Sequence, residues 1–182
     1  MARRTWTELR EIDPTEWPLA DYLDYSGWRG TETCVRHPHD GGVYLGGIDA
    51  LDGLPEDVDA VVSLCRVGRK EIPESIPRED QVAVWLVDSD DPADNPYLDF
   101  VLTEAADMVA TMRAEGKTVF LHCVQAHSRT PTVAALYSAR HLGISAEVAL
   151  REVTASLPDA HPNAAFSSAL RRIAEKGSPD VR

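Results

Sequence analysis

Thr118 to Gly143 reads TVFLHCVQAHSRTPTVAALYSARHLG. Its first five residues carry no carboxylate, lysine or arginine, the pattern of a short strand buried on both faces. Pro131 suits the first turn of a helix, where its missing N–H is no loss, and PTVAALYSARHL runs from there to Gly143, a helix stop. A buried strand that feeds through a short loop into a helix belongs to an α/β sheet, so this segment sets the fold class.

The chain on either side repeats the alternation. Gly41-Gly42 and Gly46-Gly47 flank Val43 to Leu45, a short apolar run bounded by turn formers; Val58 to Cys65 and Val82 to Val87 are further strands rich in β-branched residues. The last stops at DSDDPADNP, Asp88 to Pro96, whose Asp, Asn and Pro density ends a strand. Leu98, Val101, Leu102, Ala105, Met108, Val109 and Met112 then fall at helical spacing before Gly116, which places Met108 and Met112 in the core. Ser145 caps a following helix to about Ser156, and Pro162 or Asn163 starts a last one. The expected architecture is an α/β domain with a central, mostly parallel, mixed sheet of four to five strands and helices on both faces.

With 182 residues, the chain is expected to form one domain, 1–182, with its core over 43–173. Residues 1–40 form an N-terminal extension with Trp6, Trp17, Trp28, Tyr22 and Tyr25, enough aromatic surface to pack on that core. A net charge of −12 argues against nucleic acid as a partner, since counterion release needs a basic face. Met1 to Asp13 has basic residues but no apolar run behind them, so neither a secretory signal nor a membrane partner is expected and the default location is cytoplasmic. Cys34, Cys65 and Cys123 show no metal or disulfide spacing; Cys34 and Cys65 read as small buried hydrophobes. His37 and His39 read as loop residues rather than metal ligands, and no metal or cofactor is implied. Nothing in the pattern specifies an oligomeric state.

The chemistry concentrates between strand and helix. A cysteine at the carboxyl end of a buried parallel strand faces the crevice where such sheets bind ligands. The amides of Val124, Gln125, Ala126, His127 and Ser128, with the start of the helix, present partial positive charge there, which suits an anion. Arg129 adds a two-pronged guanidinium for a phosphate. The same field favours a thiolate at Cys123, a nucleophile toward a bound phosphoryl group, and the Thr130 hydroxyl is placed to donate to that sulfur when it leaves.

His122-Cys123, five residues, Arg129 and Thr130 resemble the signature of the cysteine-dependent protein-tyrosine phosphatases, above all their compact dual-specificity branch. VYLGG (Val43 to Gly47) followed by VVSLC, the helix from Tyr97 to Met112, and PNAAF (Pro162 to Phe166) resemble the flanking parts of those domains. The resemblance implies that Cys123 is the nucleophile, Arg129 the phosphate clamp, Thr130 the thiolate's partner, and that His122 holds the loop by hydrogen bonds. It also implies an aspartate on a separate upstream loop that acts first as acid and then as base. Asp88, which directly ends its strand, is the first choice, with Asp90 and Asp91 as rivals.

Two positions depart from that pattern. Ala126 stands where the family has glycine, at a cost of about 1 kcal/mol if the backbone there is left-handed. His127 is bulkier and more polar than the usual neighbour. Arg66 and Arg69 follow a strand and point toward either the same crevice or solvent. The function expected is a phosphoester hydrolase, a tyrosine or dual-specificity phosphatase acting through a cysteinyl phosphate on a phosphorylated protein or small phosphoester. The alternatives are a noncatalytic phosphate-binding module and a sulfurtransferase.

Overall fold

The computed structural model describes residues 30–68 and 70–177, so most of the aromatic extension, and Arg69, lie outside the described residues. Five strands form one mixed sheet in the order β1-β2-β5-β3-β4: β1 (Cys34–His37), β2 (Asp40–Gly46), β3 (Ala60–Ser63), β4 (Gln81–Ala83) and β5 (Val119–His122). β1 runs antiparallel to β2, and all other pairs are parallel. β5, the strand of the opening segment, is central and fully buried. Gly46, Ser63 and His122 lie level in register at the carboxyl ends of β2, β3 and β5, which fixes the pole where a ligand crevice forms.

Side-chain alternation splits the sheet into two faces. Val43, Leu45, Ala60, Val62, Val119 and Leu121 point to one, which is covered by α1 (Leu98–Ala114), α2 (Arg129–His141), α3 (Ala146–Ser156) and α4 (Ala164–Gly177). Tyr44, Val61 and Phe120 point to the other, where the described cover is the 3-10 helix Ile48–Gly53 with Ile72 and Ile76. Among the described residues helices thus lie on both faces, with the α-helices all on one.

The helix ends follow their local chemistry. Gly116, at φ +84°, closes α1 with paired bonds from Gly116 N to Arg113 O and Lys117 N to Met112 O. Ser145 Oγ accepts from Val148 N at the start of α3, and Asn163 Oδ1 accepts from Phe166 N at 2.9 Å at the start of α4.

Four expectations need correction. β1, Cys34–His37, puts the end of the stretch 1–40 into the sheet itself as an edge strand rather than into an extension packed on the core. The run from Val82 pairs only as far as Ala83, because Trp85 leaves the sheet, half exposed, to stack on the Arg66 guanidinium at 4.1 Å. Met112 is buried, but Met108 falls beside the buried stripe of α1 and is 36% exposed. Cys65 is buried as expected, whereas Cys34 is only partly so.

The pole opposite the ligand crevice is held by a polar network rather than by a plain loop. His37 Nδ1 accepts from His39 N, which leaves Nε2–H to donate to Ala134 O at 3.2 Å. His39 bridges Ser138 Oγ and Glu152 Oε2, each at 2.8 Å. Asp40 receives two bonds from Arg113 and one from Tyr137 Oη, joining the β1–β2 turn to α1 and α2.

Candidate active site

Cys123 follows β5 directly, and residues 124–128 bend before α2 begins at Arg129. The loop and the end of β5 are tied to the segments that follow β2 and β3. Ile48 N donates to Val124 O at 3.1 Å, and Leu64 N donates to His122 O at 2.8 Å. On the β2 side the approach is close: a Cβ at Gly47 would lie 2.9 Å from Val124 O and 2.5 Å from Thr31 O, backbone that has no room to yield. Gly47 thus serves the loop and not merely a turn.

His122 is fully buried and locked. Its Nδ1 lies 3.2 Å from Cys123 O, which can only accept, so Nδ1 carries the proton. Nε2 then accepts from Ser63 Oγ at 2.8 Å. Burial holds this imidazole neutral, pushing its pKa down to about 4. Its ring stacks nearly parallel to Phe120, 5.1 Å between centroids. Ser63, a hydroxyl in the otherwise apolar VVSL run, was the visible sequence signal for this partner, and the motif reading passed over it.

Ala126 adopts φ 59°, the left-handed region anticipated for the missing glycine, with its methyl packed in the core at 1% exposure. Cys123 is also only 1% exposed, a narrower arrangement than a thiol facing an open crevice. Gln125 and His127 are the part-exposed members of the loop. The Thr130 hydroxyl, expected to donate to the sulfur, is instead directed at Gly46 O, 3.4 Å away, because α2 starts early enough to place Thr130 beside the end of β2.

The loop from Asp88 to Pro96 reaches this point from the β4 edge of the sheet. Arg129 Nη1 donates to Leu86 O at 2.9 Å, and its Nε lies 3.9 Å from Asp88 Oδ2. The three candidate carboxylates separate by what they touch. Asp88 Oδ1 accepts from Asn163 Nδ2 at 2.8 Å while Oδ2 faces the guanidinium. Asp90 Oδ1 accepts from Ala165 N at 2.9 Å, where it serves the first turn of α4. Asp91 closes a local turn with Ala93 N. Asn95 brackets the loop base by donating to Val87 O and accepting from Val87 N.

Two further bonds join the Cys123 loop to the start of α4: Asn163 N to Ser128 Oγ at 3.1 Å and His161 N to His127 O at 2.8 Å. The His127 and His161 rings lie 4.8 Å apart. Asn163 and Asn95 were missed as site residues; each is one polar residue in a Pro-flanked turn, a pattern that says helix start or loop and nothing of its partner. Arg66 is at the same pole but buried against Trp85. Cys123, Arg129, His122, Thr130 and Asp88 are thus gathered at one end of the sheet.

No family model and no curated relative matches the chain. Solved structures do match in fold. Human DUSP28 is 24% identical and superposes with a TM-score of 0.65, covering 79% of this chain and 93% of its own. A mouse putative dual specificity phosphatase, solved in complex with zinc tungstate, is 20% identical with a TM-score of 0.66, over 80% of this chain and 89% of that one. OH1 from the Orf virus, a tyrosine phosphatase, is 19% identical at 0.60, over 77% and 85%. The chain has the fold of the cysteine-dependent protein-tyrosine phosphatases.

Proposed function

We propose that this protein is a phosphoester hydrolase working through a cysteinyl phosphate, with phosphotyrosine-type aryl esters as its first substrate class. The observation that carries this reading is the convergence of Asp88 on Arg129: residues 41 apart in sequence meet beside the Cys123 loop, with Asp88 Oδ2 3.9 Å from Arg129 Nε. A passive anion cradle needs Arg129 but has no use for a carboxylate, which repels an anion.

In the first step the Cys123 thiolate attacks phosphorus as the ester P–O bond breaks, and Asp88 Oδ2–H passes its proton to the departing oxygen. Arg129 and the loop amides of Val124 to Ser128 hold the phosphoryl oxygens. In the second step water attacks phosphorus, the Asp88 carboxylate takes its proton, the S–P bond breaks, and inorganic phosphate leaves Cys123 as thiolate again. His122 holds the Cys123 carbonyl throughout. The Thr130 hydroxyl reaches the sulfur by turning away from its long bond to Gly46 O. No metal or cofactor enters either step. The burial of Cys123 favours an aryl ester, whose ring carries its phosphate deeper than a seryl carbon does. Phosphoserine and phosphothreonine are the weaker substrates on this reading.

A noncatalytic phosphate-binding module is the second reading, favoured by the 1% exposure of Cys123 and by the Thr130 hydroxyl's turn to Gly46 O. Aryl phosphate hydrolysis and tungstate binding, measured on wild type and on Cys123→Ser, Arg129→Ala and Asp88→Ala, separate the two. Hydrolysis abolished by Cys123→Ser with tungstate binding retained supports the hydrolase. Tungstate binding without turnover in the wild type establishes the module instead. Loss of Asp88 lowers the rate about a hundredfold to ten-thousandfold and removes the alkaline limb of the pH profile.

A further inference from the structure

Asn163 uses every polar atom that faces the site. Its backbone N–H donates to Ser128 Oγ, its Oδ1 accepts from Phe166 N to begin α4, and its Nδ2 donates to Asp88 Oδ1 at 2.8 Å. One residue therefore joins the phosphate loop, the acid loop and the last helix. The bond to Asp88 has a chemical consequence. In a protonated carboxylic acid the carbonyl oxygen accepts hydrogen bonds and the other oxygen carries the proton. An amide donor fixed on Oδ1 therefore assigns the proton to Oδ2, the oxygen turned toward Arg129. After transfer the same bond keeps Oδ2 presented to the incoming water.

We propose that Asn163 is the positioning residue of Asp88, selecting which carboxyl oxygen delivers and recovers the proton; the proposal rests on the hydrolase reading above. Asp90 supports the same geometry from two residues on, because its bond to Ala165 N pins the acid loop to the helix that Asn163 starts. Nothing in this assignment requires Asn163 to touch substrate.

The test exploits leaving groups. Dinitrophenyl phosphate releases a stable phenolate without a proton, whereas phenyl phosphate needs the acid. Asn163→Ser keeps a hydroxyl to accept from Phe166 N and removes the donor to Asp88. It should raise the ratio of kcat/KM for dinitrophenyl over phenyl phosphate by about tenfold or more, a fraction of the whole effect of a general acid. Asp88→Ala should raise it further. Asn163→Asp, an equally good helix cap, sets a carboxylate against Asp88 and should raise the ratio as Ser does while keeping the unfolding midpoint near wild type; it also stands in if the Ser variant fails to fold. A purely structural role would depress both substrates together and leave the ratio unchanged, which overturns the proposal while the hydrolase reading stands. A wild type that binds tungstate but cleaves neither ester overturns both.

Discussion

Ala126 sets opposing terms of similar size against each other. A left-handed non-glycine residue costs about 1–2 kcal/mol, while glycine at the same place would forfeit about 0.8 kcal/mol of methyl burial and about 0.4–1 kcal/mol through a freer unfolded chain. Ala126→Gly should therefore change stability by less than about 1 kcal/mol in denaturant unfolding, whereas β-branched Ala126→Val, strained at φ 59°, should cost more than about 2 kcal/mol. Ser63 is a clearer case. Ser63→Ala strips from His122 Nε2 the hydrogen bond that Ser63 Oγ makes to it inside the core, a loss of about 1–3 kcal/mol. On the proposed hydrolase reading, turnover should fall with it, since the freed tautomer no longer holds the Cys123 carbonyl. At this scale the sequence was most legible: the Cys-to-Arg spacing and the missing glycine were both readable. What it hid was direction, such as the Thr130 hydroxyl facing Gly46 O, because a spacing says how far apart two residues are along the chain and not which way a rotor points.

Elements hold together through a few multiply bonded side chains. Asp40 ties the β1–β2 turn to α1 and α2, and although burial works against its charge, the bonds from Arg113 and Tyr137 prevail and hold its pKa below the usual carboxylate range. Asp40→Asn keeps the shape and loses the charge, so unfolding at neutral pH should show a loss of about 1–3 kcal/mol, less than for a fully buried pair. Long periodic elements were legible from sequence, and β5, α1 and α2 appear within a few residues of their expected bounds. Short ones were not. β1 is four residues, CVRH, whose strand character comes from pairing with β2 rather than from its own composition. β4 ends early because Trp85 finds a cation to stack on, which no propensity encodes.

For the whole molecule, acid is the informative stress. His37 and His122 are both held neutral by burial, with pKa values lowered to about 4 from 6.5. The unfolded chain therefore binds protons first as pH falls, so their contribution is complete above about pH 6.5 and is lost progressively down to about pH 4, roughly 2–3 kcal/mol for each. Depressed carboxylates such as Asp40 add their loss only below about pH 4. Denaturant midpoints between pH 7 and 4.5 should fall steeply in the wild type and less in His37→Gln; equal slopes would assign the acid sensitivity elsewhere. Global assembly was the least legible level. The meeting of Asp88 with Asn163 spans 75 residues, and only the folded sheet brings them together.

That long-range bond makes the aim of the aspartate a property of the completed domain. On the proposed hydrolase reading, a chain cut at about residue 160 would carry Cys123, Arg129 and Asp88 but neither the amide that orients the carboxyl nor the Phe166 and Leu170 side chains that fill the core beside it.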